Sequence, residues 1–200
     1  MNFLRNLPIV PEQASEHAGR RILNDYYQGP ADQPLPTRLL AAIQRANADI
    51  LAENAEQPDA RKMTTTVVAA VVAGFHLYVA HVGDSRAYLI RGGLAQQLTQ
   101  DHTTVGEMVR SGLMSEAEAM RSKAKNRLTR SLGGDEDVSV EVVSGIPLQV
   151  GDRVLLCTDG LTRYADRAEI ARLATEGKAE EAALRMVDYA NEQGGADNVT

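Results

Sequence analysis

The chain has one cysteine, no run of twenty apolar residues and no surplus of positive charge. Each shortage removes a class of protein. Cys157 has no partner for a disulfide and no companions for a zinc site. Within the apolar run Val154-Leu155-Leu156-Cys157 it reads as a small buried hydrophobe, which fits a reducing, cytoplasmic setting. The longest apolar stretch, Val67 to Val82, is broken by Gly74 and His76 and falls short of the roughly 20 residues that span a bilayer, so no membrane role is expected. The opening Met1-Asn2-Phe3-Leu4-Arg5-Asn6-Leu7-Pro8 is too poor in apolar residues for an export signal. A formal net charge of −6 offers no broad cationic face to nucleic acid and points to cations as ligands. What remains, 44% hydrophobic and 24% charged over 200 residues, is an ordinary globular mixture, expected to form a single domain over residues 1–200.

Hydrophobic spacing predicts helices over Glu12 to Tyr27 and Thr37 to Asn54, where Leu39, Leu40, Ile43, Ala46, Ile50 and Leu51 recur every three to four residues. After Asp59 the texture becomes valine-rich. Strands are predicted over Thr65 to Ala73, Leu77 to Val82, Arg86 to Ile90 and Leu94 to Leu98, joined by tight turns as an antiparallel meander. Thr103 to Ser111 and Ser115 to Arg121 read as helical or irregular, Val138 to Ser144 and Arg153 to Thr158 as strands, and Arg167 to Ala174 and Ala179 to Asn191 as helices. Helices, then strands, then helices give an α+β class, most simply sheets covered by helices.

Three aspartates stand where an element gives way to a loop: Asp101, Asp159 and Asp197. A carboxylate at a strand end has a rigid support and still faces solvent, which suits a hard divalent cation. Taken singly, each also reads as an ordinary turn aspartate, and spacing does not decide whether the fold brings them together. Gly83-Asp84-Ser85-Arg86 lacks the flanking pattern of a nucleophile elbow and reads as a tight turn. His17, His76, His81 and His102 show no metal-ligand spacing and read as packing or surface residues. Lys123, Lys125, Arg127 and Arg130, beside Asp135-Glu136-Asp137, form either a solvated face or a phosphopeptide contact.

The order of short motifs resembles the PPM-type metal-dependent serine/threonine protein phosphatases in their bacterial form. The resemblance is carried by Met63-Thr64-Thr65-Thr66-Val67-Val68, Val79-Ala80-His81-Val82-Gly83-Asp84-Ser85-Arg86-Ala87-Tyr88 and Leu98-Thr99-Gln100-Asp101-His102. It continues in Asn126 to Gly133, Gly151 to Thr162 and Gly194-Gly195-Ala196-Asp197-Asn198-Val199-Thr200. It implies an antiparallel β-sandwich flanked by helices, a four-layer α-β-β-α arrangement. Asp159 and Asp197 then resemble ligands of a binuclear manganese or magnesium centre, and Asp101 with Asp159 the pair that holds a third, weaker metal. Residues 103–131 correspond to a flap beside the site. The implied chemistry is metal-assisted hydrolysis of phosphoserine and phosphothreonine in proteins, by water activated between cations on the order of 4 Å apart. Phosphorylated proteins, and a kinase acting on them, are the implied partners of a monomer.

Departures from the family pattern carry expectations of their own. The family's phosphate-binding arginine and its Asp-Gly-Met-Gly-Gly loop, whose aspartate bridges both metals, have no counterpart; Asn6-Leu7-Pro8-Ile9-Val10-Pro11 stands there instead. The domain is thus expected to be incomplete at both ends, lacking its first strands and its last, with weak metal binding and little turnover. Thr64 replaces a usual glycine, and Arg163 a frequent acidic residue. The alternative reading is a pseudophosphatase acting as a phosphoprotein-binding regulatory module.

Overall fold

The computed structural model describes residues 11–58, 62–115, 118–119, 122, 124 and 127–200. Two helices open it, α1 (Pro11–Gln28) and α2 (Leu35–Ala55), followed by strands β1 (Val67–Ala73), β2 (His76–Val82), β3 (Arg86–Arg91) and β4 (Leu94–Gln97). Helix α3 (Thr104–Arg110) precedes β5 (Glu141–Pro147) and β6 (Arg153–Cys157). The short α4 (Asp159–Thr162), α5 (Arg167–Thr175) and α6 (Ala179–Glu192) complete the chain.

The strands form two three-stranded antiparallel sheets, ordered β1-β2-β5 and β4-β3-β6. The expected single meander is therefore corrected. β1 and β2 form one hairpin and β3 and β4 another, but the chain changes sheets at residues 83–85, between Val82 and Arg86. Alternation along each strand explains the layering. In β2, Leu77 and Val79 join Ala87 of β3, Val68, Ala70, Val143 and Ile146 between the sheets. Ala80 and Val82 face the other way, onto Leu39, Ile43, Ala46 and Ile50 of α2 and Ala18 and Ile22 of α1. Tyr88 and Ile90 of β3 pack with Ile170, Leu173, Met186 and Ala190 of α5 and α6. Three apolar interfaces separate four layers, α-β-β-α, as the resemblance implied. Ile43 and Ile50 are fully buried and contribute about 2–3 kcal/mol each by transfer from water.

The predicted strand at Val138 begins three residues later, at Glu141. Asn47 of α2, itself buried, donates through Nδ2 to the carbonyls of Asp135 (2.9 Å) and Glu136 (3.3 Å) and accepts through Oδ1 from the Gly133 amide (2.8 Å). Those bonds hold 133–136 against the helix, and Val138 enters the helix-facing core rather than a ladder. Cys157 is buried at the end of β6, and burial pushes its thiol up to about 12, so it is a packing residue. No helix among the described residues is long and apolar enough to cross a membrane.

Candidate functional site

Strand β6 ends at Cys157 and the chain turns at once into α4, so Asp159 sits in that helix's first turn. The C-terminal residues are laced to the same point. Thr158 N–H donates to the Thr200 carbonyl (3.2 Å), Thr158 Oγ1 donates to the Asn198 carbonyl (3.2 Å), and Thr200 N–H donates back to Thr158 Oγ1 (3.2 Å). Gly160 permits this approach, because a Cβ there would collide with the Asn198 carbonyl. Upstream, the Ala196 amide donates to Tyr164 Oη (3.2 Å), which ties the loop after α6 to the end of α4. Asp197 is thereby delivered beside Asp159.

Arg163 shows how near the two are: its single Nη2 lies 3.2 Å from Asp159 Oδ2 and 3.2 Å from Asp197 Oδ2. The two carboxylate oxygens are no farther apart than twice that distance. Asp159 and Arg163 are four residues apart across α4, so they share a face. Asp101 is held differently, by a fork from Arg86, Nε to Oδ1 at 2.8 Å and Nη2 to Oδ2 at 2.6 Å. Burial opposes the Arg86 charge, but that fork outweighs it and raises the guanidinium pKa.

Asp84 links the two halves. Burial pushes its carboxyl up to about 6, and the charges of Asp159 and then Asp101 push the same way, which places Asp84 within electrostatic reach of both. The turn reading of residues 83–86 holds for the backbone but missed this carboxyl. Gly83 has φ +105°, and a Cβ there would stand 2.6 Å from Thr66 Cβ, so the turn that aims Asp84 requires glycine. Residues Asn6 to Val10, where the resemblance would put the bridging carboxylate, lie outside the described residues.

The segment that the resemblance aligns with a flap begins with α3, capped by Thr103 Oγ1, which accepts from the Gly106 amide (3.0 Å). Its return leg is tied back by Thr104 N–H to the Arg127 carbonyl, Thr129 N–H to the His102 carbonyl (2.9 Å) and Thr129 Oγ1 to Glu107 Oε1 (2.7 Å). Most of the predicted helix at Ser115 to Arg121, together with Lys123 and Lys125, lies outside the described residues.

Sequence spacing also missed a histidine pair. The rings of His81 and His102 stack at 4.5 Å, both fully buried, and the ligand atoms of His81, His102 and Glu141 lie within 4.8 Å of one another. His17, by contrast, pairs with Glu53 at 2.9 Å. The signal was period two: His81 falls on the same inter-sheet face as Leu77 and Val79. The triad is a poor cation site, because His102 Nδ1 accepts from the Gly83 amide (3.1 Å), which leaves the proton on Nε2, facing Glu141 Oε2 (3.2 Å). Arg130 lies 3.3 Å from that nitrogen and Arg110 3.8 Å from Glu141 Oε2, adding positive charge. Burial, foremost, lowers the pKa of both histidines, His81 to about 4.

The family profile for Protein phosphatase 2C matches residues 28–199. The chain belongs to that family. Among curated relatives, the serine/threonine phosphatase stp of Listeria innocua is 38% identical over 169 residues, 84% of this chain and 67% of the relative. The crystal structure of the PPM Ser-Thr phosphatase MsPP from Mycobacterium smegmatis, in complex with cacodylate, superposes with a TM-score of 0.83 at 34% identity, over 94% of this chain and 79% of that one. The catalytic domain of the serine/threonine protein phosphatase PstP, in complex with two manganese ions, gives 0.79 at 32%, over 94% and 78%. The phosphatase 2C family is thus shown by sequence and fold together, and its members named here are hydrolases of phosphorylated serine and threonine.

Proposed function

We infer that this chain is a phosphoserine/phosphothreonine protein phosphatase that uses Mn2+ or Mg2+ held by Asp159 and Asp197, with Asp101 serving a further ion. One observation carries the reading: a single cationic nitrogen lies 3.2 Å from an oxygen of each of Asp159 and Asp197. Where a guanidinium nitrogen bridges two carboxylates, the donor set is all oxygen and its charge negative, which fits hard divalent cations better than zinc or iron. Bound there, a pair of such cations supplies an acidified water and neutralises the phosphate oxygens. The chain's own residues position that chemistry: the Thr158–Thr200 lacing fixes the Asp159–Asp197 spacing, and Arg86 fixes Asp101. Asp84, whose carboxyl burial pushes up to about 6, stands beside them as a candidate to give or take a proton in mildly acidic solution.

Substrates are phosphorylated proteins, and a kinase acting on the same proteins is the natural counterpart by family analogy. The setting is cytoplasmic and the chain monomeric. Hydrolysis of p-nitrophenyl phosphate and of a phosphothreonine peptide, measured with millimolar Mn2+, tests the reading. A low rate that needs Mn2+ and falls at least about 100-fold in Asp159→Asn is expected. A rate indifferent to that substitution would refute the site. The guanidinium bridge favours a second reading, a phosphoprotein-binding module without turnover; tight phosphopeptide binding with no Mn2+-dependent hydrolysis would select it.

A further inference from the structure

The arginine between the two carboxylates differs from the two forked arginine–aspartate pairs among the described residues, and from Arg21, which reaches Asp25 and Asp49 through two different nitrogens at 2.9 and 2.8 Å. Arg86 grips Asp101 with two nitrogens at 2.8 and 2.6 Å, and Arg91 grips Asp152 with two at 2.8 and 2.6 Å. These are bidentate forks with the lengths of charge-assisted bonds. Arg163 makes no fork. One of its nitrogens straddles Oδ2 of Asp159 and Oδ2 of Asp197 at 3.2 Å each, beyond the best distance for either. The remaining oxygen of Asp197 is taken by the Asn198 amide, 2.9 Å away, so the straddled oxygen is the free one.

We propose that Arg163 is a built-in counter-cation that holds Asp159 and Asp197 together in the metal-free chain and must swing away before a divalent cation can enter. This rests on the reading of Asp159 and Asp197 as metal ligands. Two carboxylates this close repel unless a positive charge lies between them. The guanidinium supplies that charge at one nitrogen, the place a cation shared by both oxygens would take. The contact is open enough to yield: the side chains of Arg163, Asp159 and Asp197 are 25%, 35% and 47% exposed. Arg163 is the C-cap of the four-residue α4, so its side chain can rotate outward without unwinding a long helix. Free energy spent on breaking the straddle is subtracted from cation affinity, which makes the chain a weak binder at low metal and keeps its acidic pocket assembled meanwhile.

Mn2+ binding, read as loss of the free-ion electron paramagnetic resonance signal, and thermal unfolding in EDTA test this on the whole chain. Four proteins are compared: the parent, Arg163→Met, Arg172→Met and Asp159→Asn. Arg172 forks onto Glu169 in α5, so its removal changes net charge by the same amount without opening the straddle. The expected results are an Mn2+ dissociation constant about tenfold tighter in Arg163→Met, one within about twofold of the parent in Arg172→Met, and a lower metal-free melting temperature for Arg163→Met alone of the two arginine variants. Equal affinity in the parent and Arg163→Met, or equal tightening in Arg172→Met, overturns the counter-cation. Should Asp159→Asn bind Mn2+ as the parent does, the metal-centre reading itself falls; the melting temperature in EDTA still reports separately whether Arg163 holds the two carboxylates.

Discussion

The stacked histidines make a quantitative statement about acid stability. His81 is fully buried, neither ring nitrogen has a hydrogen-bond partner among the described residues, and burial, reinforced by the neighbouring His102, lowers its pKa to about 4. Glu141 and Asp101 pull the other way and Arg110 adds to the lowering, without reversing the effect of burial. The sign follows from linkage. A base whose native pKa is depressed costs nothing while both states are neutral, and folding loses stability as pH falls through the unfolded value near 6.5, until the native ring protonates near 4. Integrating between those two values removes about 2 kcal/mol by pH 5 and about 3 kcal/mol by pH 4. His81→Phe keeps a ring against His102 and removes the titration, and His81→Leu removes it without a ring. Urea unfolding followed by circular dichroism at pH 7.5, 6, 5 and 4.5 is the assay. The parent should lose about 2 kcal/mol more than either variant between pH 7.5 and 5. His102 and the carboxylates remain in all three proteins and largely cancel. Parallel curves for parent and variants would show that His81 is charged, or solvated, inside the fold, and the burial argument would fail.

Two further substitutions test the supports of the site. Asn47→Ala strips the Gly133 amide and the Asp135 carbonyl of a buried partner and should cost about 2–4 kcal/mol in urea unfolding; a loss under about 0.5 kcal/mol would mean that water replaces the side chain. Gly83→Ala places a Cβ against Thr66 at φ +105° and should cost at least about 2 kcal/mol, whereas Gly92→Ala, at φ +57° with open space around it, should cost less. Equal losses at the two glycines would remove the close approach from the explanation.

Much of the fold was legible because it is written in local periods. Apolar residues every three to four positions marked α1, α2, α5 and α6 to within a few residues, and short apolar runs, valine-rich in β1 and β2, marked β1 to β4. The change of sheet between β2 and β3 was not legible, because a turn that stays in one sheet and a turn that crosses to the next use the same residues; only the face on which Leu77, Val79 and Ala87 meet separates them. β5 was misplaced for a related reason. Val138 and Val140 look like strand residues, but Asn47, 91 residues upstream of Val138 in the numbering, holds the preceding backbone elsewhere. Asp101, Asp159 and Asp197 were singled out from their position at element ends, while Asp84 and the His81–His102 pair were not. Their significance lies in burial and in neighbours from other strands, which no spacing within one strand contains.

The arginine partners suggest an order among the carboxylates. A cation approaching Asp101 competes with a two-nitrogen fork at 2.8 and 2.6 Å, between side chains only 19% and 26% exposed, where Coulomb attraction is poorly screened. One approaching Asp159 and Asp197 competes with a single nitrogen at 3.2 Å in a more exposed setting, where the straddled contact is the weaker of the two. Both differences act in the same direction. Asp159 and Asp197 should therefore load at lower cation concentration, and Asp101 should join only when the first charge is already in place. On this reasoning the weaker third metal that the resemblance assigned to Asp101 together with Asp159 would owe its weakness to the Arg86 fork, so Arg86→Lys, which keeps the charge and loses the fork, should narrow the gap between the two affinities.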